Sequence, residues 1–233
     1  MINDPLPIQE ADLPPLGADF SERFEREKRP PCRLYLVSPP AFDATFADAL
    51  KSALSASNVA AFQLRLKGLD DDAIAQAAEP LQRICADHET AFIINDSMTL
   101  AKRLGADGVH LGQGDGDPRD ARALLGRDAQ IGVTCHNDRH LAMEAGEAGA
   151  DYVAFGAFYP TLTKEVKYVA DPAILSWWIT LFGTPCVAIG GITLANARPL
   201  IDAGADFIAV SAAVWNDRDG SQAAVAKFTA LMS

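Results

Sequence analysis

Three polar side chains at alternate positions, Gln63, Arg65 and Lys67, are the first candidates for chemistry in this sequence. They end a segment beginning at Val59 whose apolar composition is typical of a β-strand. Alternate residues of a strand point to one side, so the amide and the two cations converge. Such a group is suited to binding a diphosphate, because Arg and Lys donate charge-assisted hydrogen bonds to phosphate oxygens. The competing interpretation is a strand end whose charges face solvent.

Two carboxylates, Asp96 and Asp115, follow the third and fourth predicted strands, and Asn95 directly precedes the first of them. Carboxylates on neighbouring strands could hold Mg²⁺, which keeps several waters and bridges to phosphate oxygens. Each aspartate could instead cap the helix that follows it. Beside the two cations, the pairing favours a metal site.

A second anion-binding region is predicted where the seventh and eighth strands end. Gly190 and Gly191 follow strand seven, and Val210 and Ser211 end and follow strand eight. Backbone N–H groups at such turns bind phosphate, and these two loops are the usual phosphate site of a (β/α)₈ barrel. The loop after strand six, which taken alone could be an ordinary surface loop, adds two hydroxyls and a cation: Thr161, Thr163 and Lys164. Two anion sites at one mouth indicate two phosphorylated substrates, one with a diphosphate leaving group.

The segment after the fifth strand contains Thr134, Cys135 and His136 in succession. A catalytic thiol is disfavoured, because adjacent residues of an extended chain point in opposite directions and cannot form a nucleophile–base pair. We expect Thr134 to donate a hydrogen bond to a substrate. For His136 both a functional and a supporting role remain open.

The elements that position these residues alternate between strand and helix along the chain. Apolar runs and helical periodicity predict eight strand–helix pairs, which indicates an α/β fold of the (β/α)₈ (TIM) barrel type. A repeat supports this count: residues 104–107, 148–151 and 203–206 each contain Gly-Ala-Asp, with glycine ending a helix just before a strand. The alternative is an open doubly wound sheet, which lacks the expected G-x-G-x-x-G after the first strand.

Composition limits the classes of function. The chain has 233 residues and a net charge of −11, which argues against non-specific binding to nucleic acid. Its four cysteines form no C-x-x-C pair, and no apolar run is long enough to cross a membrane. We expect a cytoplasmic protein without a signal peptide, and the sequence leaves a homo-oligomer open. Residues 1–30, rich in proline and charge, are predicted to be an extension, partly disordered or surface-lying, and residues 31–233 the barrel domain.

Taken together and in order, the motifs resemble those of the thiamine phosphate synthase (thiamine-phosphate pyrophosphorylase) family. The similarity runs from about residue 33 to the C-terminus. The motifs are QLRLK (63–67), ND (95–96), HLGQGD (110–115), GVT (132–134), YPTLTK (159–164) and IGGI (189–192). The resemblance implies a (β/α)₈ barrel that joins hydroxymethylpyrimidine diphosphate to thiazole phosphate and releases pyrophosphate, through a pyrimidine cation.

The resemblance also implies roles for individual residues. Arg65, Lys67 and Asn95, together with Gln63 in the same motif, would hold the pyrimidine diphosphate, and Asp96 and Asp115 would bind Mg²⁺. Thr134 would contact the diphosphate, and Lys164, with Arg65 and Lys67, would stabilise the leaving group. The thiazole phosphate would be held by Thr161, Thr163, Gly191, Val210 and Ser211.

The sequence departs from the family at several positions. Leu66 stands where the family usually has Glu, Thr134 where Ser is commoner, and Ser97-Met98-Thr99 where charged residues are usual. Two alternatives therefore stay open at this point. One is a thiazole tautomerase on the same barrel, and the other is a homologue that binds thiamine phosphates without catalysis.

Overall fold

The structure is a computed structural model that describes residues 29–56, 59–161 and 168–232. Across these residues, eight parallel strands paired in sequence order close into a barrel, with the last strand beside the first. The prediction of a (β/α)₈ barrel is therefore confirmed. Residues 1–28 of the predicted extension, and the predicted site residues Thr163 and Lys164, lie outside the described residues.

Strands and helices alternate as the sequence predicts. The strands are β1 (Arg33–Val37), β2 (Val59–Leu64), β3 (Ala91–Asn95), β4 (Gly108–Leu111), β5 (Gln130–His136), β6 (Tyr152–Phe155), β7 (Cys186–Ala188) and β8 (Phe207–Val210). The helices are α1 (Phe46–Leu54), α2 (Asp71–Asp87), α3 (Met98–Leu104), α4 (Pro118–Leu125), α5 (Arg139–Glu147), α6 (Ala173–Leu181), α7 (Arg198–Asp202), α8 (Ala212–Trp215) and α9 (Ser221–Met232). Within the described ranges, no helix combines the length and apolar composition that crossing a bilayer requires.

The apolar and helical patterns predict strand five at residues 129–133 and helix seven at residues 194–203, and the structure corrects both. Strand β5 extends to His136 rather than ending at Val133, because it continues to pair with β6 beyond that residue. Helix α7 begins at Arg198 rather than at Leu194. Before it, the Asn196 side chain accepts a hydrogen bond from the Thr193 N–H (2.7 Å), which holds the chain in a turn. The short helix α8 was not predicted.

Alternate residues along the strands face two different cores. On β1, Leu34 and Leu36 belong to the large apolar cluster between strands and helices, whereas Tyr35 belongs to a smaller one inside the barrel. The buried members of the smaller cluster are Tyr35, Ala61, Ile93, Tyr152, Ala154, Val187 and Ala209. The barrel interior therefore carries hydroxyl groups among apolar side chains directly beneath the strand ends.

The repeated Gly-Ala-Asp segments have a structural role at the amino ends of the strands. Each aspartate lies just before one strand, and its carboxylate accepts a hydrogen bond from a backbone N–H of the preceding strand. The pairs are Asp107 with Phe92 (2.7 Å), Asp151 with Ile131 (2.7 Å) and Asp206 with Cys186 (2.8 Å). Asp206 also forms an ion pair with Arg29, at 2.8 and 2.9 Å. These contacts join neighbouring strands at the face where barrels gain stability rather than activity.

Candidate active site

A cavity of about 490 Å³ opens at the carboxyl ends of the strands. Every predicted site residue within the described ranges lines it: Gln63, Arg65, Lys67, Asn95, Asp96, Asp115, Thr134, Thr161, Gly191, Val210 and Ser211. These residues come from seven different strands or the loops after them, and the barrel alone brings them together. The placement of Thr163 and Lys164 stays a prediction.

The amide and the two cations that follow β2 face this cavity together. Gln63 is buried and donates a hydrogen bond from Nε2 to Oδ1 of Asn95 (2.7 Å). The backbone of Arg65 is fixed by Ser38, whose Oγ accepts from the Arg65 N–H at 2.9 Å. Burial lowers the pKa of the Arg65 guanidinium, while the nearby Asp96 opposes that change. A cation that has lost part of its hydration in this way interacts strongly with an anionic ligand.

The alternation of the same segment separates two kinds of side chain. Arg65 and Lys67 line the cavity, whereas Leu66 packs against the apolar cluster between strands and helices. The leucine that departs from the family pattern therefore lies outside the cavity lining, on the opposite side of the chain from the two cations.

Two carboxylates lie close together beside these cations. Burial raises the pKa of Asp96, and the neighbouring Asp115 carboxylate raises it further, whereas Lys67, whose Nζ lies 3.3 Å from Oδ2 of Asp96, lowers it. The Asp115 Oδ2 also accepts a hydrogen bond from the Gly112 N–H (2.8 Å). Two like charges held this close repel each other unless a proton or a cation lies between them.

The alternative that these aspartates cap helices is wrong. The residue that caps α3 is Ser97, whose Oγ accepts from the Leu100 N–H at 3.1 Å. The residue that caps α4 is Asp117. The Asp96 and Asp115 carboxylates are therefore available to the cavity. Ser97, one of the departures from the family pattern, has a local capping role.

Carboxylate pairs with open surroundings fit the oxygen chemistry that Mg²⁺ prefers. Among the described residues, no group of three or more His, Cys, Asp or Glu side chains could hold a metal ion. A magnesium ion at Asp96 and Asp115 would therefore take its other ligands from water or from a bound phosphate, as this ion commonly does.

On the other side of the barrel, the loop after β7 contacts the loop after β6 very closely. Gly191 has a φ of +66°, and a side chain there would overlap the backbone carbonyl oxygens of Tyr159 and Pro160. Thr161, the next residue of that loop, lines the cavity. At the end of β8, the Ser211 Oγ donates to the carbonyl of Ser38 (3.2 Å). The glycine thus allows the loops after β6 and β7 to form one wall.

Side chains from the barrel interior form the floor of the cavity, and of these the sequence analysis assigned a role to Thr134 but to neither tyrosine nor His110. Tyr35 and Tyr152 approach within 2.9 Å through their hydroxyl groups, and the Tyr152 hydroxyl lies 3.1 Å from Nδ1 of His110. The His110 Nε2 lies 2.8 Å from Oγ1 of Thr134. An available signal was the polar residue at the centre of an otherwise apolar strand, as in Tyr35 of β1 and His110 of β4.

The structure separates Cys135 from His136, as the extended-chain argument predicts. Cys135 is fully buried in the outer core, and burial raises the pKa of its thiol to about 12. His136 lines the cavity, with its ring 4.7 Å from that of Tyr168. A thiol with so high a pKa is neutral near pH 7 and is a poor nucleophile.

A family model and two similar relatives point to the same family. The model of the family described as thiamine monophosphate synthase matches residues 34–214. A thiamine-phosphate synthase from Erythrobacter litoralis is 60% identical over 190 residues, which are 80% of this chain and 89% of that protein. A thiamine-phosphate synthase from Rhodospirillum centenum is 57% identical over 202 residues, or 86% of this chain and 98% of that one.

The fold is also similar to solved structures. A thiamine phosphate pyrophosphorylase from Pyrococcus furiosus superposes with a TM-score of 0.75 at 26% identity. The match covers 86% of this chain and 95% of the other.

Proposed function

The chain belongs to the thiamine monophosphate synthase family and is an enzyme of thiamine biosynthesis, and from this premise we propose that it joins hydroxymethylpyrimidine diphosphate to thiazole phosphate. The products are thiamine phosphate and pyrophosphate. The observation that carries this proposal is one cavity with two walls whose side chains and backbone amides suit anions. One wall follows β2, β3 and β4, and the other follows β6, β7 and β8.

The wall after β2 suits a diphosphate. Arg65 and Lys67 supply positive charge, and the half-buried Arg65 is held in place by its backbone bond to Ser38. Gln63 and Asn95 bond to each other, which fixes both amides at the inner edge of this wall. Thr134 adds a hydroxyl from the floor.

Asp96 and Asp115 are the residues that would hold Mg²⁺ in this proposal. When bound, the ion supplies positive charge that offsets the negative charge of the diphosphate and of the released pyrophosphate. The raised pKa of Asp96 supports the assignment, because burial and the neighbouring Asp115 carboxylate raise it despite the Lys67 ammonium nearby, and a bound cation would relieve that repulsion.

The bond change proposed here needs charge stabilisation rather than proton transfer. The carbon–oxygen bond between the pyrimidine methylene and the diphosphate breaks, and the electron pair leaves with pyrophosphate. The thiazole nitrogen then donates its lone pair to the methylene carbon. Arg65, Lys67 and Lys164 would stabilise the leaving charge, since fixed cations act where charge develops. The floor and walls would bring the two rings into contact.

The wall after β6, β7 and β8 would hold the thiazole phosphate. Its backbone amides at Gly191 and beside Ser211, with the Thr161 hydroxyl, offer hydrogen-bond donors to a phosphate, and Thr163 would add a second hydroxyl. No observation in the site specifically favours a tautomerase, and the relatives reported above are named as synthases.

The test is thiamine phosphate formation from the two substrates, with and without Mg²⁺, measured as fluorescent thiochrome after oxidation. We expect Mg²⁺-dependent product, and a loss of at least about 100-fold in kcat for Asp96→Asn and for Asp115→Asn. Asp120→Asn, an exposed aspartate on α4, is the matched control and should keep full activity. Near-normal rates in both site variants would show that these carboxylates do not hold the ion. Conversion of the thiazole carboxylate isomer supplied without the pyrimidine substrate would instead indicate a tautomerase.

A further inference from the structure

Four side chains from four strands form a continuous chain of hydrogen bonds beneath the cavity. We call it the interior relay: Tyr35 (β1), Tyr152 (β6), His110 (β4) and Thr134 (β5). Successive polar atoms lie 2.9, 3.1 and 2.8 Å apart. Each of the four residues is less than 10% exposed, at 4%, 7%, 8% and 8% in that order, and all four line the cavity.

The relay depends on one missing side chain. Gly132 pairs with His110 on one side and with Tyr152 on the other, so these three residues occupy one level of the barrel. A Cβ atom at Gly132 would overlap the Tyr152 ring. The glycine therefore opens the space in which the Tyr152 ring stacks against His110, with ring centroids 5.6 Å apart.

The direction of the hydrogen bonds in the relay is set as a unit. A neutral imidazole carries one N–H and one lone pair, so the two bonds of His110 to Tyr152 and Thr134 run in the same sense. If Nε2–H donates to Thr134, Tyr152 must donate to Nδ1, and Tyr35 donates to Tyr152. The Thr134 hydroxyl hydrogen can then turn towards the cavity. In the reverse sense, Thr134 donates to His110 and presents only lone pairs.

Only the first sense suits an anion in the cavity. A diphosphate oxygen accepts hydrogen bonds, and a threonine oxygen that offers it lone pairs would repel it. We propose that Tyr35, Tyr152 and His110 are positioning residues, which orient the Thr134 hydroxyl so that it donates to the diphosphate. This inference rests on the proposed function, because it requires a diphosphate at Thr134.

Through the relay, Tyr35, Tyr152 and His110 would affect diphosphate binding without contacting the diphosphate themselves. Reversing the relay in a buried site requires every member to exchange donor and acceptor roles together. Tyr152 stands between Tyr35 and His110 and makes both of its bonds within the relay. Removing its hydroxyl takes away the donor to Nδ1 that selects the tautomer in which His110 donates to Thr134.

The experiment measures the affinity of inorganic pyrophosphate in the presence of Mg²⁺, by calorimetry, for a double-mutant cycle. The variants are Tyr152→Phe, Thr134→Val and the two combined, all close in shape to the parent. We expect each single variant to bind about tenfold more weakly, the value of one hydrogen bond to a charged group. The combined variant should also lose only about tenfold, because Tyr152 acts through the Thr134 hydroxyl.

Two controls distinguish positioning from a general loss of packing. Tyr159→Phe removes a hydroxyl that donates to the Asn196 carbonyl (2.8 Å), outside the relay, and should bind pyrophosphate like the parent. Thr134→Ser keeps the hydroxyl and should keep the sensitivity to Tyr152→Phe. Near-ultraviolet circular dichroism checks that each variant retains the native packing.

The possible failures are separable. If the parent binds pyrophosphate and Thr134→Val weakens binding, but Tyr152→Phe does not, the relay inference is overturned and the diphosphate site stands. A combined loss of about a hundredfold would also overturn it, since independent effects multiply. If the parent itself does not bind pyrophosphate, the proposed diphosphate site fails, and the relay inference fails with it.

Discussion

Replacing Gly191 by alanine tests how the loops after β6 and β7 are held together in one wall of the cavity. The residue has a φ of +66°, which L-amino acids with a side chain rarely adopt, and an added Cβ would overlap two backbone carbonyl oxygens of the loop after β6. Backbone atoms cannot rotate away as a flexible side chain can. The substitution must therefore displace the loop after β6, whose Thr161 lines the cavity, or change the backbone conformation at Gly191 itself.

The magnitude follows from two separate terms. A left-handed backbone costs a residue with a Cβ about 1–2 kcal/mol. Overlap in a packed site adds about 1–3 kcal/mol. We therefore expect Gly191→Ala to lower the free energy of unfolding by about 2–5 kcal/mol. Because a displacement of about 1 Å in a positioning loop costs about 100-fold, kcat/KM for the thiazole phosphate should fall by that factor.

Two other glycines separate these terms. Gly105 has a φ of +59° and open space around its Cβ position, so Gly105→Ala should show the backbone cost alone and keep its activity. Gly183 has open space and no left-handed φ, and Gly183→Ala should change stability by no more than about 0.5 kcal/mol. Urea denaturation and steady-state kinetics with each substrate varied in turn give the comparison. If Gly191→Ala matched Gly105→Ala in both stability and kcat/KM, the close contact between the loops would have no functional role.

Three further predictions concern the barrel and its thiols. Asp206→Ala should lower the free energy of unfolding, measured in urea, by about 3–5 kcal/mol, because it leaves the largely buried Arg29 guanidinium without its carboxylate partner. As a control, Asp202→Ala, which loses an exposed ion pair with Arg198, should lower it by at most about 0.5 kcal/mol. Burial raises the pKa of the Cys135 thiol to about 12, so iodoacetamide at pH 8 should leave this thiol unmodified, as mass spectrometry can show, and should leave the activity intact. Rapid inactivation would contradict the assignment of a neutral, buried thiol. Removing residues 1–28 while keeping Arg29 should leave the melting temperature within about 3 °C of the full chain, and a larger drop would show that these residues stabilise the barrel.

The part of the site that could be predicted from the sequence lies in short segments. Gln63, Arg65 and Lys67 share one strand end, and the period of two residues by itself places them on one side. The same alternation separated Leu66 from its neighbours and Cys135 from His136. The resemblance to a known family then assigned roles to residues that the cavity brings together.

Local sequence patterns failed to predict side-chain roles and helix starts where several neighbouring side chains could cap the same helix or hold a turn. Asp96 and Asp115 each precede a helix, and the sequence alone left capping open. The structure decides this because Ser97 and Asp117 already satisfy the first N–H groups of α3 and α4. The start of α7 was missed for a related reason, since the side chain of Asn196 holds a turn that competes with the helix.

The sequence by itself determined the order of the strands and helices, their approximate bounds and the residues at each strand end, because those depend on periodicity and on neighbours in the chain. Only the tertiary structure decided that Tyr35, His110, Thr134 and Tyr152 form one hydrogen-bonded chain. The tyrosines are 117 positions apart, and their contact exists because barrel closure turns alternate residues inwards and Gly132 leaves room for a ring. Burial then makes each of these polar groups depend on its partner, a constraint that no single segment carries.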